Sequence, residues 1–313
     1  MLRAGDLVAF PTETVYGLGA DASNAAAVAK VFAAKGRPAD HPLIVHLPDA
    51  GHLDRWAIDI PPVARDLAAA FWPGPLTLIL KRHPTVIDAI TGGQDTVGLR
   101  VPRHPLALQL LREFDGGVAA PSANRFGHVS PTTAAHVSDE LGASVGMVLD
   151  GGPCQVGIES TILDLSSGIP SILRPGMLDA ADLAEVLGAA PAFGAEAAAP
   201  RVSGSLESHY APTTPLRLVA QSEIAGALDA ALDRGQRVVV FAPVVPEVLA
   251  AVPSKLIWRQ ASRDPVSYAH ELYARLREFD LLGCDLILVA APPVDEAWRA
   301  VNDRLQRAAA EAK

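Results

Sequence analysis

Apolar residues recur with two different periods along the first two thirds of the chain. Short runs rich in Val, Ile, Leu and Thr predict buried β-strands at DLVAF, PLIVHL, PLTLILKR, TVGLRVP, GVAAPSA and STILDLS. Longer stretches with helical spacing predict α-helices at NAAAVAKVFAAK, with Asn24 as the N-cap, and at PPVARDLAAAFW, HPLALQLLREFD and AADLAEVLGAA. Because these strands and helices interleave irregularly, we expect a mixed or partly antiparallel sheet with helical cover.

The pattern changes between Ala189 and Pro215, where alanine, proline, glycine and serine dominate and neither period persists. Such a composition predicts a linker, although its SHYAP segment combines an imidazole and an aromatic ring. After Pro215, the strand candidates PLRLV, RVVVFAP, KLIWRQ and CDLILVAAPP alternate with helical stretches such as PVSYAHELYARLREFDLLG. This alternation predicts a small parallel α/β domain.

Composition narrows the class of protein. Hydrophobic residues make up 50% of the chain and charged residues 19%, which is typical of a globular protein with an ample core. No apolar run reaches the roughly 18 residues of a membrane span, and the N-terminal segment does not resemble a signal peptide. Cys154 and Cys284 lie far apart without a C-x-x-C pair, so we expect neither zinc nor disulfides, and a cytoplasmic location.

The formal net charge of −9 argues against a broad nucleic-acid surface. Any bound anion should therefore be small and should meet a local cluster of cations. One such cluster falls in KGRPADHPLIVHL, where prolines stiffen the segment between Lys35, Arg37, His41 and His46. Cations presented in this way suit a phosphate, while a solvated turn followed by strand-end histidines is the alternative.

The stretch GLGADA, residues 17 to 22, matches the G-x-G-x-x-A pattern of a dinucleotide-binding turn. In a true turn of that type the first glycine directly follows a strand, whereas here the strand should end at Pro11. We therefore interpret the glycines as turn-forming residues. The polar side chains before them are then the lining of a site, namely Thr12, Glu13, Thr14 and Tyr16.

Further polar groups follow in TVGLRVP, APSANRFGHVSPT, VGIESTILDL and ILRPG. Arg100 could hold a carboxylate through a bidentate pair. The other candidates are hydroxyl, amide, carboxylate and guanidinium groups, at Ser122, Asn124, Ser130, Glu159, Ser160, Thr161 and Arg174. No P-loop motif occurs. Such a set positions substrates and offsets phosphate charge without a covalent intermediate.

Taken in order, PTETVYGLGADA, KGRP, PLIVH, WPGPLTLIL, TVGLRVP, APSAN, SPT, GIESTILDL and LRPG resemble the YrdC-type threonylcarbamoyl-AMP synthases. The K-x-R and S-x-N signature of that family is matched by Lys35, Arg37, Ser122 and Asn124. The resemblance is specific from Phe10 to Gly176 and looser beyond Leu216, where SHYAPTTP and the α/β tail resemble the long, two-domain members.

This resemblance implies an α/β fold in three parts. A YrdC-like catalytic domain with a twisted mixed sheet and helices would span residues 1–189, and a linker that forms an active-site lid would span residues 190–215. A smaller, C-terminal Rossmann-like parallel α/β domain would span residues 216–313. Family members commonly carry a further N-terminal helix before the counterpart of Phe10, so either that helix is dispensable here or the natural start lies further upstream.

The resemblance also implies a reaction, in which L-threonine, bicarbonate or CO2, and ATP give threonylcarbamoyl-AMP and pyrophosphate, with Mg²⁺ accompanying ATP. The product would pass to the tRNA threonylcarbamoyl transferase machinery. The positions matching the L-threonine site are Thr14, His46, Arg100, Ala120 and Ser160. Those matching the ATP site are Arg37, His41, Thr96, Ser122, Asn124, Ser130, Arg174 and Tyr210. The expected catalytic residues are Lys35, Arg37 and Arg100, and no residue is assigned to a metal.

Other interpretations remain. His41 stands where the family usually has asparagine, which affects the expected hydrogen bond to ATP and introduces a group that titrates near neutral pH. A double-stranded RNA or tRNA-binding module without catalysis is the alternative function, although the net charge of −9 speaks against tight binding. A maturation factor that uses carbamoyl phosphate would require acylphosphatase-like and zinc-finger segments, and the sequence contains neither.

Overall fold

The structure is a computed structural model that describes residues 1–194, 199–204, 208–244 and 255–310. The chain divides into two compact units, Met1–Phe126 with Ser130–Ser205, and Gly127–Val129 with Leu206–Lys313. Residues 195–198 and 205–207 of the predicted lid lie outside the described residues. The assignment of a catalytic domain, a lid and a C-terminal domain to residues 1–189, 190–215 and 216–313 stays a prediction.

The first unit contains one ten-stranded sheet, in the order β10-β9-β8-β4-β5-β3-β6-β2-β1-β7. Its strands are β1 (Val8–Phe10), β2 (Gly17–Asp21), β3 (Ile44–His46), β4 (Leu76–Lys81), β5 (Thr96–Arg100), β6 (Val118–Ala119), β7 (Met147–Val148), β8 (Thr161–Asp164), β9 (Ser171–Arg174) and β10 (Ala192–Phe193). The pair β3 and β5 is parallel, whereas β4 and β5 are antiparallel. This arrangement confirms the predicted mixed sheet.

Helices cover this sheet and bury its apolar side chains. They are α1 (Ala25–Lys35), α2 (Leu53–Trp56), α3 (Pro62–Phe71), α4 (Asp88–Thr91), α5 (Pro105–Phe114), α6 (Ala134–Leu141) and α7 (Ala180–Leu187). Leu67 of α3 and Leu183 of α7 belong to the same buried cluster as Leu78 of β4 and Leu99 of β5. Because side chains of a strand alternate between two faces, the neighbouring positions of β4 and β5 are left for the opposite face.

The glycines of GLGADA lie in a strand and not in a turn, so the predicted turn-forming role is wrong. They belong to β2, which pairs antiparallel with β1 in a register that places Phe10 opposite Gly17. A Cβ atom on Gly19 would lie 2.9 Å from the Phe10 ring and 2.9 Å from a methyl group of Val118. The glycine therefore admits close side-chain packing. Since no helix begins at this motif, it is not a dinucleotide-binding turn either.

The second unit is a four-stranded sheet in the order β11-β14-β12-β13, and its described strand pairs are all parallel. Its strands are β11 (Leu216–Val219), β12 (Val238–Ala242), β13 (Leu256–Gln260) and β14 (Leu286–Ala290), and its helices are α8 (Ile224–Asp233), α9 (Pro265–Leu281) and α10 (Arg299–Ala309). The predicted small parallel α/β domain is thus confirmed. Among the described residues, no helix combines the length and apolar character needed to cross a membrane.

Candidate active site

The face of the first sheet opposite its main core carries part of the predicted site. Along β5, Val97 and Leu99 enter the core, so alternation places Thr96, Gly98 and Arg100 on the other face. A Cβ atom on Gly98 would lie 3.1 Å from Ile79 of β4, which confirms that these positions share one side. Because Gly98 has no side chain, no group of its own projects from this face between Thr96 and Arg100.

The segment that follows β1 gathers three loops around this face. The Tyr16 carbonyl accepts from the Ala123 amide at 2.8 Å, and the Tyr16 amide donates to the Pro131 carbonyl at 2.9 Å. The Glu13 carbonyl accepts from the Val156 amide at 2.7 Å. The PTETVYG, APSAN, SPT and GIES motifs are therefore adjacent in space, although they are far apart in the sequence.

Arg100 is buried and held on three sides. Its Nη2 contacts Glu13 Oε1 at 2.6 Å, Nη1 donates to Thr14 Oγ1 at 2.9 Å, and Nε donates to the Gly74 carbonyl at 3.1 Å. The second Glu13 oxygen accepts from the Arg103 amide at 2.8 Å. These bonds fix the plane of the guanidinium, which is the group suited to hold a carboxylate. Glu13 was not among the predicted ligands, although its place in the polar PTET motif marked it.

His46 ends β3 and is neutral in this environment. Burial, and then the nearby Arg100 charge, lower the pKa of its imidazole to about 3. The ring packs edge-to-face against Phe10, with 5.8 Å between ring centroids. Its Nδ1 is buried and has no hydrogen-bond partner among the described residues. A buried, uncharged ring nitrogen of this kind can bond to a polar group of a ligand.

Ser160 and Arg174 form a second polar group next to Arg100's sheet face. Arg174 Nε and Nη2 donate to the Ser160 carbonyl at 3.1 and 3.0 Å, and Nη2 also reaches Ser160 Oγ at 3.1 Å. Ser160 Oγ lies 2.8 Å from Thr77 Oγ1 of β4. The remaining nitrogen, Nη1, donates to the Ser203 carbonyl at 3.0 Å.

Arg37 and Arg174 both donate hydrogen bonds to Ser203. Arg37 Nη2 donates to Ser203 Oγ at 3.2 Å and to the Pro42 carbonyl at 3.0 Å. Its guanidinium carbon lies 5.5 Å from the centroid of the Phe126 ring, a cation–π distance. Two of the predicted phosphate-binding arginines are therefore within reach of one residue, and both are buried.

Lys35 joins the two halves of the K-x-R and S-x-N signature. It is the last residue of α1, which Gly36 terminates with a left-handed φ of 62°. Lys35 Nζ donates to the Ser122 and Asn124 carbonyls, each at 2.5 Å. Burial, together with the Arg37 charge, holds the pKa of this amine well below its usual value. The helix end thus brings the Lys35 amine onto the loop that carries Ser122 and Asn124.

His41 and Ser130 border the same region. The His41 ring lies edge-to-face to the Phe126 ring, with 5.3 Å between centroids. Partial burial and the Arg37 charge lower its pKa. Ser130 Oγ donates to Glu159 Oε1 at 2.6 Å, and both side chains are buried. Glu159 is thus a buried carboxylate bonded to Ser130; the sequence analysis named it as a candidate polar group but assigned it to neither substrate.

Three predicted residues remain. Thr96 is half-buried at the start of β5, and Ala120 follows β6 with its amide bonded to the Ile44 carbonyl at 3.0 Å. Tyr210 belongs to the second unit, where its side chain is buried and stacks on Tyr273 with 5.6 Å between ring centroids. Among the described residues, no group of three or more His, Cys, Asp or Glu side chains could hold a metal ion.

Two family models match the chain. The model Sua5_yciO_yrdC, described as "Telomere recombination", matches residues 1–176. The model Sua5_C, described as "Threonylcarbamoyl-AMP synthase, C-terminal domain", matches residues 178–310. The chain is also 40% identical over 316 residues to the threonylcarbamoyl-AMP synthase of Bacillus subtilis strain 168, an alignment that covers 99% of this chain and 91% of the relative.

Solved structures give the same result. The crystal structure of Pyrococcus abyssi Sua5 complexed with L-threonine matches with a TM-score of 0.90 and 36% identity, over 98% of this chain and 92% of that chain. A P. abyssi Sua5 variant, with a histidine and the following tyrosine both replaced by alanine, matches with a TM-score of 0.90 and 35% identity, over 98% and 90% of the two chains.

These matches first define the class: the chain is an enzyme, a nucleotidyltransferase of mixed α/β fold. Within that class it belongs to the threonylcarbamoyl-AMP synthase family, in the long form with two family domains. The family resemblance and the fold class predicted from the sequence are thereby confirmed.

Proposed function

We propose that the chain condenses L-threonine, bicarbonate or CO2, and ATP into threonylcarbamoyl-AMP and pyrophosphate. The observation that carries this proposal is the gathering of four buried basic side chains and several hydroxyl groups around one sheet face. The basic side chains are Lys35, Arg37, Arg100 and Arg174. A site of this composition can bind one carboxylate and one polyphosphate, which are the anionic groups of the two larger substrates.

The L-threonine site is assigned to the Arg100 side of this face. Arg100, fixed by Glu13 and Thr14, would bind the substrate carboxylate. The neutral His46 ring and the Ser160 hydroxyl would bond to the amine and side-chain hydroxyl, together with the Ala120 carbonyl. The L-threonine bound in P. abyssi Sua5, a structural match over nearly the whole chain, supports this assignment.

The ATP site is assigned to the side with Arg37 and Arg174. The carbamate formed from the threonine amine attacks the α-phosphate, the bond to the β-phosphate breaks, and pyrophosphate leaves with its negative charge. Arg37 and Arg174, which reach the same serine, are placed to offset this charge. Lys35 is our candidate for bicarbonate.

The remaining nucleotide contacts are assigned to polar groups of the first unit, namely Thr96, Ser122, Asn124, Ser130 and His41. The resemblance to the family adds Tyr210 as a further expected ATP contact. His209-Tyr210 is the only adjacent His-Tyr pair in the sequence. In the P. abyssi variant, a histidine and the following tyrosine are both replaced by alanine. We take this variant as a reason to test His209 and Tyr210 in this chain.

Mg²⁺ would enter as part of the ATP substrate. Magnesium bound by substrate phosphates needs few protein ligands. This suits a site in which the described residues offer no three-ligand cluster. The product would then supply the threonylcarbamoyl group for a tRNA adenosine, by transfer to a partner enzyme.

Carbon-labelled bicarbonate tests the proposal. Incubation with L-threonine and ATP should place the label in a nucleotide product with the mass of threonylcarbamoyl-AMP. When L-threonine is replaced by its methyl ester, no labelled nucleotide should form, including the methyl ester of threonylcarbamoyl-AMP, because the ester lacks the carboxylate that Arg100 would bind. A product that forms equally well from the ester would contradict the assignment of Arg100.

A further inference from the structure

Residues 201–203 of the first unit, which we call segment 201–203, lie against the sheet face assigned to ATP. Two hydrogen bonds fasten the start of the segment, since the Arg201 amide donates to Gln94 Oε1 at 2.7 Å and Gln94 Nε2 donates to the Arg201 carbonyl at 3.1 Å. The Arg201 side chain adds an ion pair with Asp40 at 3.2 Å and a bond to the Gly92 carbonyl at 3.0 Å. These anchoring residues are separate from those assigned to ATP.

Val202 fills the apolar part of this face. It is 6% exposed and belongs to a buried cluster with Ile79 of β4 and Ile162 of β8. The cavity that remains between the segment and β5 is lined by Thr96 and Gly98 and has a volume of about 10 Å³, which is room for roughly one water molecule. A triphosphate therefore does not fit beside Thr96 while the segment is in this position.

Ser203 accepts hydrogen bonds that the proposed function assigns to phosphate oxygens. Arg37 Nη2 donates to the Ser203 hydroxyl at 3.2 Å, and Arg174 Nη1 donates to the Ser203 carbonyl at 3.0 Å. Both guanidinium groups are buried, and buried donors require acceptors. Ser203 thus supplies each arginine with an uncharged acceptor in place of a phosphate oxygen.

We propose that segment 201–203 is autoinhibitory: it occupies the polyphosphate site, and ATP or pyrophosphate must displace it to bind. This inference concerns the regulation of the ATP site and rests on the proposed function. Charged phosphate oxygens make stronger hydrogen bonds to a guanidinium than a serine hydroxyl or a peptide carbonyl does, so the exchange favours polyphosphate. The apparent affinity for polyphosphate is reduced by the fraction of molecules in which the segment is in place.

Calorimetric titration of the full chain with inorganic pyrophosphate tests the inference without catalysis. Gln94→Leu removes both bonds to the Arg201 backbone and changes no charge. It should lower the Kd for pyrophosphate about 2- to 10-fold, the effect of about one net hydrogen bond. Ser203→Ala, which removes an acceptor from Arg37, should also lower the Kd. Gln109→Leu, at an exposed position of α5, is the matched control and should bind like the unaltered chain.

A segment that clamps bound polyphosphate would give the opposite result. Loosening such a clamp would weaken binding, so a raised or unchanged Kd in either Gln94→Leu or Ser203→Ala would overturn the inference. If that result came with threonine-dependent pyrophosphate release from ATP, the proposed function would stand without the inference. An absence of pyrophosphate binding in every form would overturn both.

Limited proteolysis with trypsin reports on the segment in the unaltered chain. The bond after Arg201 is protected while the Arg201 backbone is bonded to Gln94 and the Val202 side chain is buried. Saturating pyrophosphate should speed cleavage at this bond, detected as the fragment that begins at Val202, whereas sodium chloride at the same ionic strength should not. Slower or unchanged cleavage with pyrophosphate would overturn the inference.

Discussion

Burial of the ion pair between Arg100 and Glu13 costs desolvation free energy, and it also orients Arg100 for a carboxylate ligand. The two side chains are 5% and 2% exposed, so the ion pair is almost completely removed from water. Their mutual attraction offsets desolvation, while the remaining bonds from Arg100 to Thr14 and Gly74 fix the donor plane. A carboxylate ligand would thus meet a guanidinium that needs no reorganisation.

Glu13→Ala should therefore be strongly destabilising. It leaves the Arg100 cation buried and unpaired, which costs about 3–5 kcal/mol of unfolding free energy. Urea denaturation measures the change. The matched control is Asp54→Ala, which breaks the exposed pair with Arg65 at 2.7 Å and should cost no more than about 1 kcal/mol. Equal losses in the two variants would contradict the account of a desolvated pair.

His46 should make stability depend on pH. Its folded pKa of about 3 lies below the ordinary value of 6.5, so the unfolded chain takes up a proton first as the pH falls. The contribution is present above about pH 6.5 and is lost progressively toward about pH 3. His46→Gln, which cannot titrate, should lose less unfolding free energy than the unaltered chain between about pH 7 and about pH 5. An equal slope for His46→Gln and the unaltered chain would contradict the burial argument.

At the scale of elements, local signals predicted α1 well. The sequence placed its N-cap at Asn24, and the Asn24 side chain accepts from the Ala26 and Ala27 amides. The helix ends at Lys35, as the pattern predicted. Capping and helical period act over a few neighbouring residues, so they can be read without knowledge of the rest of the fold.

Other elements depend on distant residues and were missed. The strand β2 contains Gly17 and Gly19, whose value lies in close packing against Phe10 and Val118, and no local pattern reveals such packing. Helix α6 was also not predicted, although Thr133 caps it and Val137 and Leu141 are buried at helical spacing. The helical spacing was present in the sequence, but it follows directly after the SPT motif and was not recognised there.

Some features of the candidate site could likewise be predicted from the local sequence, whereas others depend on distant residues. The residue types and motif order indicated Lys35, Arg37 and the S-x-N loop, and the structure brings them together. The pairing of Arg100 with Glu13 and of Ser130 with Glu159 joins segments that are distant in sequence. Such pairs follow from the sheet topology and cannot be read from spacing.

Replacement of glycine by alanine should change the unfolding free energy in opposite directions at Gly36, which ends α1, and at Gly226, which lies in α8. Gly36 has a φ of 62°, so Gly36→Ala should lower the unfolding free energy by about 1 kcal/mol and disturb Lys35 and Arg37 beside it. Gly226 lies inside α8 with open space around its Cβ position, so Gly226→Ala should raise the unfolding free energy by up to about 1 kcal/mol. Chemical denaturation of both variants decides. A stabilising Gly36→Ala would contradict the proposed role of the left-handed cap.

At the scale of the whole molecule, the net charge of −9 contrasts with the local cluster of buried cations. A protein that neutralises several phosphates of a nucleic acid loses affinity steeply with salt. We expect no strong, salt-dependent retention of tRNA in filter binding, because the cations are buried in one small region. Tight binding that falls steeply between about 50 and about 200 mM salt would favour the alternative of an RNA-binding module.

The two units contain different groups of interest. The first holds the cations and the sheet face, while the second holds Tyr210 within its own framework of helices. The described matches to the family cover both units, at residues 1–176 and 178–310. The central claim is that one site joins threonine, bicarbonate and ATP, and it concerns the full chain.

Pyrophosphate release from ATP tests that claim most directly, with L-threonine and bicarbonate each supplied or omitted. We predict release only when both are present, a raised KM for L-threonine in Arg100→Lys, and a raised KM for ATP in Arg174→Lys. Release that proceeds without threonine, or no release from the folded chain under any condition, would contradict the account.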